Sequence, residues 1–235
     1  MDDPSLVRVC CRLTPTAATE DALRAVFALA ERGGPVDDVA LARDLGVPTP
    51  AAAAMLRRLE DDGLVECADH RTTLTAHGAR HAHHVVRRHR VLETFLVEVV
   101  GLDPPGAHAE ADALEHAVSD RLLDRMDNLL GSPARDPFGS AIPRGGDARD
   151  GGWGTRLADA AVAAEFRVDR VQDREGATGT EPPDLGIVPG LTLVVLERAP
   201  AGGPLWVRFE GRDHPVGEAL TRRVFGREIG VAVPV

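Results

Sequence analysis

The feature that most constrains this chain is a series of turn signals set at helical lengths between residues 33 and 63. Leu23, Val26, Phe27 and Ala30 form the i, i+3, i+4, i+7 stripe of a helix over 19–32, and Gly33 and Gly34 stop it. A second helix is predicted over 36–45, and Gly46 then allows a tight turn. Thr49 is placed to cap a third helix, with Pro50 at its first position, and the helix runs over 51–61 until Gly63 ends it. Residues 64–66 and 72–75 read as short strands separated by the polar Ala68, Asp69, His70 and Arg71. Helix, tight turn, helix and hairpin together predict a winged helix-turn-helix.

Charge opposes a nucleic-acid reading only at first sight. The net charge is −10, and affinity for DNA comes largely from cations set against phosphates. Between residues 51 and 91, however, seven arginines stand against five acidic residues, so this stretch is positive. The predicted recognition helix opens on Ala51, Ala52, Ala53 and Ala54. Alanine meets a thymine methyl but makes no bidentate contact to a base. The contact set is therefore read as Thr49, Pro50, Ala51, Ala54, Arg57 and Arg58, with His70 and Arg71 on the wing. Phosphate anchoring and DNA shape then carry more of the recognition than base edges do.

The rest of the chain narrows the class. No apolar run approaches a membrane span and no secretory pattern opens the chain, so it is read as cytoplasmic. Cys10 and Cys11 are adjacent and Cys67 has no CxxC partner, which reads as reduced, incidental thiols. There is no GxSxG elbow and no phosphate-cradling loop.

Helices are predicted over 76–100 and 107–130. The short 101–106 connection makes them antiparallel neighbours. Asp112, Glu115 and His116 stand at i, i+3 and i+4, so one continuous helix would aim all three at the same volume. His89 and Glu93 do the same one helix earlier, and His108 opens the later helix opposite them. Any one such pair is more often a solvated helix face. Six together on facing helices are satisfied by divalent metal, because buried carboxylates and imidazoles need a cation or each other. His77, His81 and His84 form a separate stripe, more simply read as exposed or DNA-proximal histidines. Residues 131–154 read as a turn-rich linker. Beyond them, strands over 165–171, 191–198 and 205–210 fit a small barrel.

The predicted fold class is a mainly α winged helix-turn-helix and helical metal-binding and dimerisation domain, followed by a small all-β SH3-like barrel. The expected division is 1–76 for DNA binding, 77–143 for metal binding and dimerisation, 144–156 as linker and 157–235 as the barrel.

These residues resemble a known family. Arg88 to Glu93 (Arg-His-Arg-Val-Leu-Glu), then Gly101-Leu102-Asp103, His108 to Asp112, Glu115-His116, Ser119-Asp120, Asp136-Pro137-Phe138-Gly139 and Ile142-Pro143 follow the order seen in the diphtheria-toxin-repressor family of metal-dependent transcriptional regulators. The later segment, with Leu185 to Gly190 (Leu-Gly-Ile-Val-Pro-Gly) and Gly202-Gly203-Pro204, is similar to the SH3-like domain that the family shares with the iron-transport protein FeoA.

The resemblance implies two metal sites per chain. One falls on Asp21, Asp112, Glu115 and His116. The other falls on His89, Glu93 and His108, with Glu175 as the loosest match for a ligand from the barrel. Iron-sensing members place methionine and cysteine where this chain has Asp21 and Asp112. The all-oxygen-and-nitrogen set favours Mn²⁺ over Fe²⁺ as co-repressor. Manganese-sensing members usually carry a glutamate one turn after the first-helix aspartate, where this chain has Arg24, so a binuclear manganese site of their kind is not implied. The implied partners are a double-stranded DNA operator, a second copy of the chain and divalent ions, with no membrane and no catalytic residues. The dimer is expected to form through apolar positions such as Leu114, Val118 and Leu122. Two alternatives stay open on the residues: a metal-independent winged-helix DNA-binding protein and a metal-dependent enzyme.

Overall fold

Helix α1 (Ala17–Glu31) starts where Thr16 accepts a hydrogen bond from the Thr19 amide at 3.3 Å. The Asp37 carboxylate caps α2 (Asp38–Leu45) through the Ala40 amide at 2.7 Å, and Gly46 ends it at φ 64°. That left-handed turn is one that a side chain adopts only with strain. Helix α3 (Thr49–Asp61) corrects an expectation: Thr49 lies inside the helix, and Pro48 holds the cap position without a side-chain bond. The reason is local. Pro50 has no amide to satisfy, and the Pro48 carbonyl accepts from the amides of Ala51 and Ala52 at 2.8 and 3.2 Å.

The hairpin follows as β1 (Val65–Ala68) and β2 (Arg71–Leu74), antiparallel with Val65 opposite Leu74. Leu23, Val26, Leu41, Leu56, Leu59, Leu64 and Val65 close one core under these elements. Truncating one such leucine to alanine costs roughly 2–5 kcal/mol. The computed structural model describes residues 15–68, 71–144, 153–172, 185–200 and 203–231. His70, Glu175, Cys10 and Cys11 lie outside them.

Helix α4 (Ala76–Phe95) is capped by Thr75, whose hydroxyl accepts from the Gly78 amide at 2.9 Å. A Cβ on Gly78 would stand 1.8 Å from the Leu64 carbonyl oxygen, so only glycine lets this first turn seat against the hairpin base. The predicted 76–100 helix changes character near its end, passing into a π-helical turn (Leu96–Val100) before Gly101. Phe27 of α1 packs with Ala82 and Val86 of α4. At the end of α1, Glu31 pairs with Arg90 of α4 at 2.7 Å.

The single helix expected over 107–130 is two: α5 (Pro104–Leu114) and α6 (Asp120–Leu129). Ser119 restarts the helix by accepting from the Leu122 amide at 3.3 Å. Arg88 fastens the break, donating to the Glu115 carbonyl at 3.0 Å and to the Asp120 carboxylate. One guanidinium thus satisfies a carbonyl at the end of α5 and a carboxylate at the start of α6. Val91, Leu92, Leu96, Ala107, Ala111, Leu123 and Ile142 form the core here.

These helices and the hairpin belong to one compact unit, Met1–Asp136 with Ala141–Gly152; the other comprises Pro137–Ser140 and Trp153–Val235. The second unit carries β3 (Thr155–Arg156), β4 (Ala164–Val171), β5 (Thr192–Arg198), β6 (Leu205–Phe209), β7 (Arg212–Val216), a short α7 (Glu218–Thr221) and β8 (Val224–Val231). They form an antiparallel sheet in the order β3-β8-β4-β5-β6-β7, consistent with an SH3-like domain. Alternate residues Phe166 and Val168, Leu193 and Val195, and Leu205, Val207 and Phe209 face its core. Within the stretch read as linker, Phe138 instead joins this unit, its carbonyl accepting from the Val171 amide at 2.9 Å.

Candidate metal centre

The deeper group is built by two neighbouring helices. Helix α4 supplies His89 and Glu93 one turn apart, and α5 supplies His108 from its first turns. Glu93 Oε1 lies 2.6 Å from His108 Nδ1 and 3.0 Å from His89 Nε2. The two imidazoles approach to 3.2 Å. His89 is 5% exposed and Glu93 3%, so these charges depend on one another rather than on water. Burial pushes Glu93 up, but His89 and His108 outweigh it and hold the carboxyl well below the usual carboxylate range. Burial likewise opposes charge on His89, yet Glu93 and Glu115 overcome it and raise the imidazole to about 9.

The shallower group joins α1 to the turn after α5. His116 Nδ1 lies 2.8 Å from Glu20 Oε2, and its Nε2 lies 2.9 Å from Asp21 Oδ1. Burial lowers the His116 pKa, but these two carboxylates outweigh it and leave it raised. Glu115 is 1% exposed and stands between the groups: Oε2 meets His89 Nδ1 at 2.7 Å, and Oε1 faces His116 Nε2 at 3.5 Å. Its Oε1 is buried with no hydrogen-bond partner. Two cationic groups, His116 Nε2 and Arg24 Nε, each stand 3.5 Å from it without making a hydrogen bond, which leaves its hydrogen-bonding capacity open to an added ion. Burial raises the Glu115 pKa, but His89 and Arg24 more than offset this and the carboxyl is held low.

Among the described residues, ligand atoms that lie within 4.8 Å of one another occur in three groups: His89, Glu93 and His108; Asp21, Glu115 and His116; and His89, Asp112 and Glu115. The first is the set expected for the second site. The four residues expected for the first site divide. Asp21, Glu115 and His116 come together, whereas Asp112 turns toward His89 and His108, 3.4 Å and 3.5 Å away. Glu115 keeps helical backbone, its amide donating to the Ala111 carbonyl at 2.9 Å, and so stays grouped with Asp112, which Arg24 of α1 holds at 2.8 Å.

Sequence reasoning missed Glu20, although a second carboxylate directly before Asp21 was the available signal. It also missed Arg88, which lies inside the quoted motif and fixes the turn that carries Glu115 and His116. Of the separate histidine stripe, His77 and His81 meet at 3.1 Å between their Nε2 atoms, and His84 stands 3.7 Å from Asp120. On α3, Thr49, Pro50, Ala54, Arg57 and Arg58 are exposed, as is Arg71 on the hairpin; Ala51 is half-buried and Ala52 fills the core.

Known proteins agree with this architecture. Residues 15–72 match the iron dependent repressor N-terminal DNA binding domain, 75–144 the iron dependent repressor metal binding and dimerisation domain, and 155–228 the FeoA domain. The chain is 34% identical over 163 residues to the diphtheria toxin repressor of Corynebacterium diphtheriae, covering 67% of this chain and 72% of that one. It is 33% identical over 198 residues to the iron-dependent repressor IdeR of Mycobacterium leprae, covering 78% and 85%. A solved manganese-dependent transcriptional repressor in complex with manganese superposes with a TM-score of 0.77 at 31% identity, over 90% of this chain and all of that one. The manganese regulator SloR does so with a TM-score of 0.71 at 26% identity, over 92% and 100%.

The chain belongs to the iron-dependent repressor family. Its class is that of metal-dependent DNA-binding transcriptional regulators, which are not enzymes. It carries the family's DNA-binding and dimerisation domains, and among the described residues no helix is long and apolar enough to cross a membrane.

Proposed function

We propose that the chain is a homodimeric repressor that responds to Mn²⁺ in preference to Fe²⁺ through two metal sites per chain. The observation that carries this reading is the approach of His116 to Asp21, 2.9 Å across the gap between the α5–α6 turn and α1. An ion held by Asp21, Glu115 and His116 ties the first helix of the winged-helix domain to the helices beneath it. Oxygen and nitrogen donors without sulfur favour a hard ion, which supports Mn²⁺ over Fe²⁺. When bound, the ion supplies a cation for the buried Glu115 Oε1 and fixes the orientation of α1.

His89, Glu93 and His108 hold the second ion as a brace between α4 and α5. Asp112, turned from Asp21, lends its carboxylate to the space between the two sites. The family resemblance implies a further ligand at Glu175, which lies outside the described residues.

In a dimer, fixing α1 fixes the spacing of two α3 helices, and two successive major grooves of an operator then accept both. Thr49, Pro50, Ala51 and Ala54 stand at the helix start, with Arg57, Arg58, Arg71 and His70 anchoring phosphates. Leu114, Leu122 and Leu129 are exposed apolar side chains on α5 and α6, which supports pairing through this face. Titration of the apo chain with Mn²⁺, Fe²⁺ and Zn²⁺, while following binding to a duplex from upstream of its own gene, tests the reading. Half-maximal DNA binding is expected at the lowest free concentration for Mn²⁺ relative to Fe²⁺. Equal DNA affinity with and without every metal would reject it.

A further inference from the structure

His77, His81 and His84 follow one stripe of α4 and stand outside the three ligand groups described above. Their surroundings are not those of a solvated face: His81 is buried, and His77 and His84 are half-buried. His77 and His81 lie one turn apart, as i and i+4. Their Nε2 atoms meet at 3.1 Å, with the rings at 83° to one another. His84 instead faces Asp120 at 3.7 Å. Burial, with His77, His84 and Arg80 adding to it, holds the His81 pKa below its ordinary value. At neutral pH its ring is therefore uncharged and keeps a lone pair on one nitrogen.

An ion about 2.1 Å from each nitrogen spans this separation at roughly a right angle, the angle between neighbouring ligands of a tetragonal ion. Histidines at i and i+4 are also the helical spacing by which one helix offers two imidazoles to one metal. We propose that His77 and His81 form a separate metal site, a two-imidazole chelate for a late first-row divalent ion such as Ni²⁺, Cu²⁺ or Zn²⁺, completed by water. The pair carries no carboxylate, so Mn²⁺, which prefers oxygen and stands at the weak end of the affinity order, is not held there. The site lies on the first turns of α4, where the Thr75 hydroxyl donates to the Gly63 carbonyl at 2.8 Å and Gly78 packs on Leu64. An ion across His77 and His81 staples these turns beneath the hairpin.

The test is Ni²⁺ binding to the full chain, by equilibrium dialysis with elemental analysis, in the native protein and in His77→Ala. The native chain is expected to take one equivalent more of Ni²⁺ than the variant, while both take the same amount of Mn²⁺. Should His77→Ala fail to fold by circular dichroism, His77→Gln, which keeps a polar side chain without the imidazole, takes its place with the same expectation. Equal Ni²⁺ uptake by the native chain and a folded variant overturns the inference. A loss of Mn²⁺ that matches the loss of Ni²⁺ overturns it as well, because the pair would then not discriminate between the two kinds of ion.

Discussion

The deep and shallow ligand groups, at the two ends of the site, differ in what they join. His89 and Glu93, buried, and the half-buried His108 lie mutually paired between α4 and α5, and belong to the scaffold whatever the DNA-binding helices do. Asp21 and His116 join α1 to a turn at a shallower place, with side chains 40% and 26% exposed. A buried pairing between packed helices is suited to holding shape, and a bridge between two separately capped elements near solvent is suited to responding. The difference teaches that donor chemistry does not separate brace from switch: both ends offer carboxylate and imidazole, and only the elements they connect tell them apart.

The comparison breaks most easily at Glu93. Glu93→Ala leaves the buried His89 and the half-buried His108 without their shared carboxylate, and breaking a buried ion pair costs about 3–5 kcal/mol. Urea unfolding of the metal-free variant should show that loss. A change under about 1 kcal/mol would mean that the deep group braces nothing.

At the shallow end the order reverses. His116→Ala should leave metal-free stability within about 1 kcal/mol, as expected of a partly exposed pair, while removing one Mn²⁺ equivalent in dialysis. Loss of stability comparable to Glu93→Ala would erase the distinction.

Acid provides a milder probe of the scaffold. Burial raises the Asp127 pKa, but Arg144 and Arg87, at 2.6 and 2.9 Å, outweigh it and hold the carboxyl below its usual value. A depressed folded-state pKa gives stability that is present above the unfolded value and is lost as pH falls through the folded one. Asp127→Asn should therefore flatten the fall in unfolding midpoint below about pH 4, and an unchanged acid limb would show that the pairing adds no stability.

The smallest effect is expected on DNA. Arg57→Ala should weaken binding uniformly across sequences and reduce the salt slope by about 1. Loss of sequence preference instead would place Arg57 at a base.

Much of the winged helix was legible because its punctuation is local: Gly33, Gly46 and Gly63 each set a helix boundary within a few residues, whereas the caps at Asp37 and Thr75 emerged only in the fold. The break between α5 and α6 was not legible. Residues 107–130 keep helical character throughout, and the turn is fastened by Arg88, which comes from another helix. The resemblance put Asp112 with Asp21, whereas Arg24 of α1 holds Asp112 at 2.8 Å and Asp112 groups with His89 and Glu115. In the barrel, β4, β5 and β6 alternate cleanly, whereas Arg212, Asp213 and His214 in β7 and Gly226 and Gly230 in β8 dilute the apolar pattern. The pairing of Arg24 needed the fold outright, since only the folded chain brings its guanidinium from α1 to Asp112 on α5.

The central claim is that an ion at the shallow end couples α1 to DNA binding. Fluorescence anisotropy with an operator duplex, with and without saturating Mn²⁺, measures it directly in the native chain and in Asp21→Ala. The native chain should gain about 5- to 150-fold in affinity on adding Mn²⁺. Asp21→Ala should keep the metal-free affinity and lose most of that gain, whereas an undiminished gain in the variant would contradict the account.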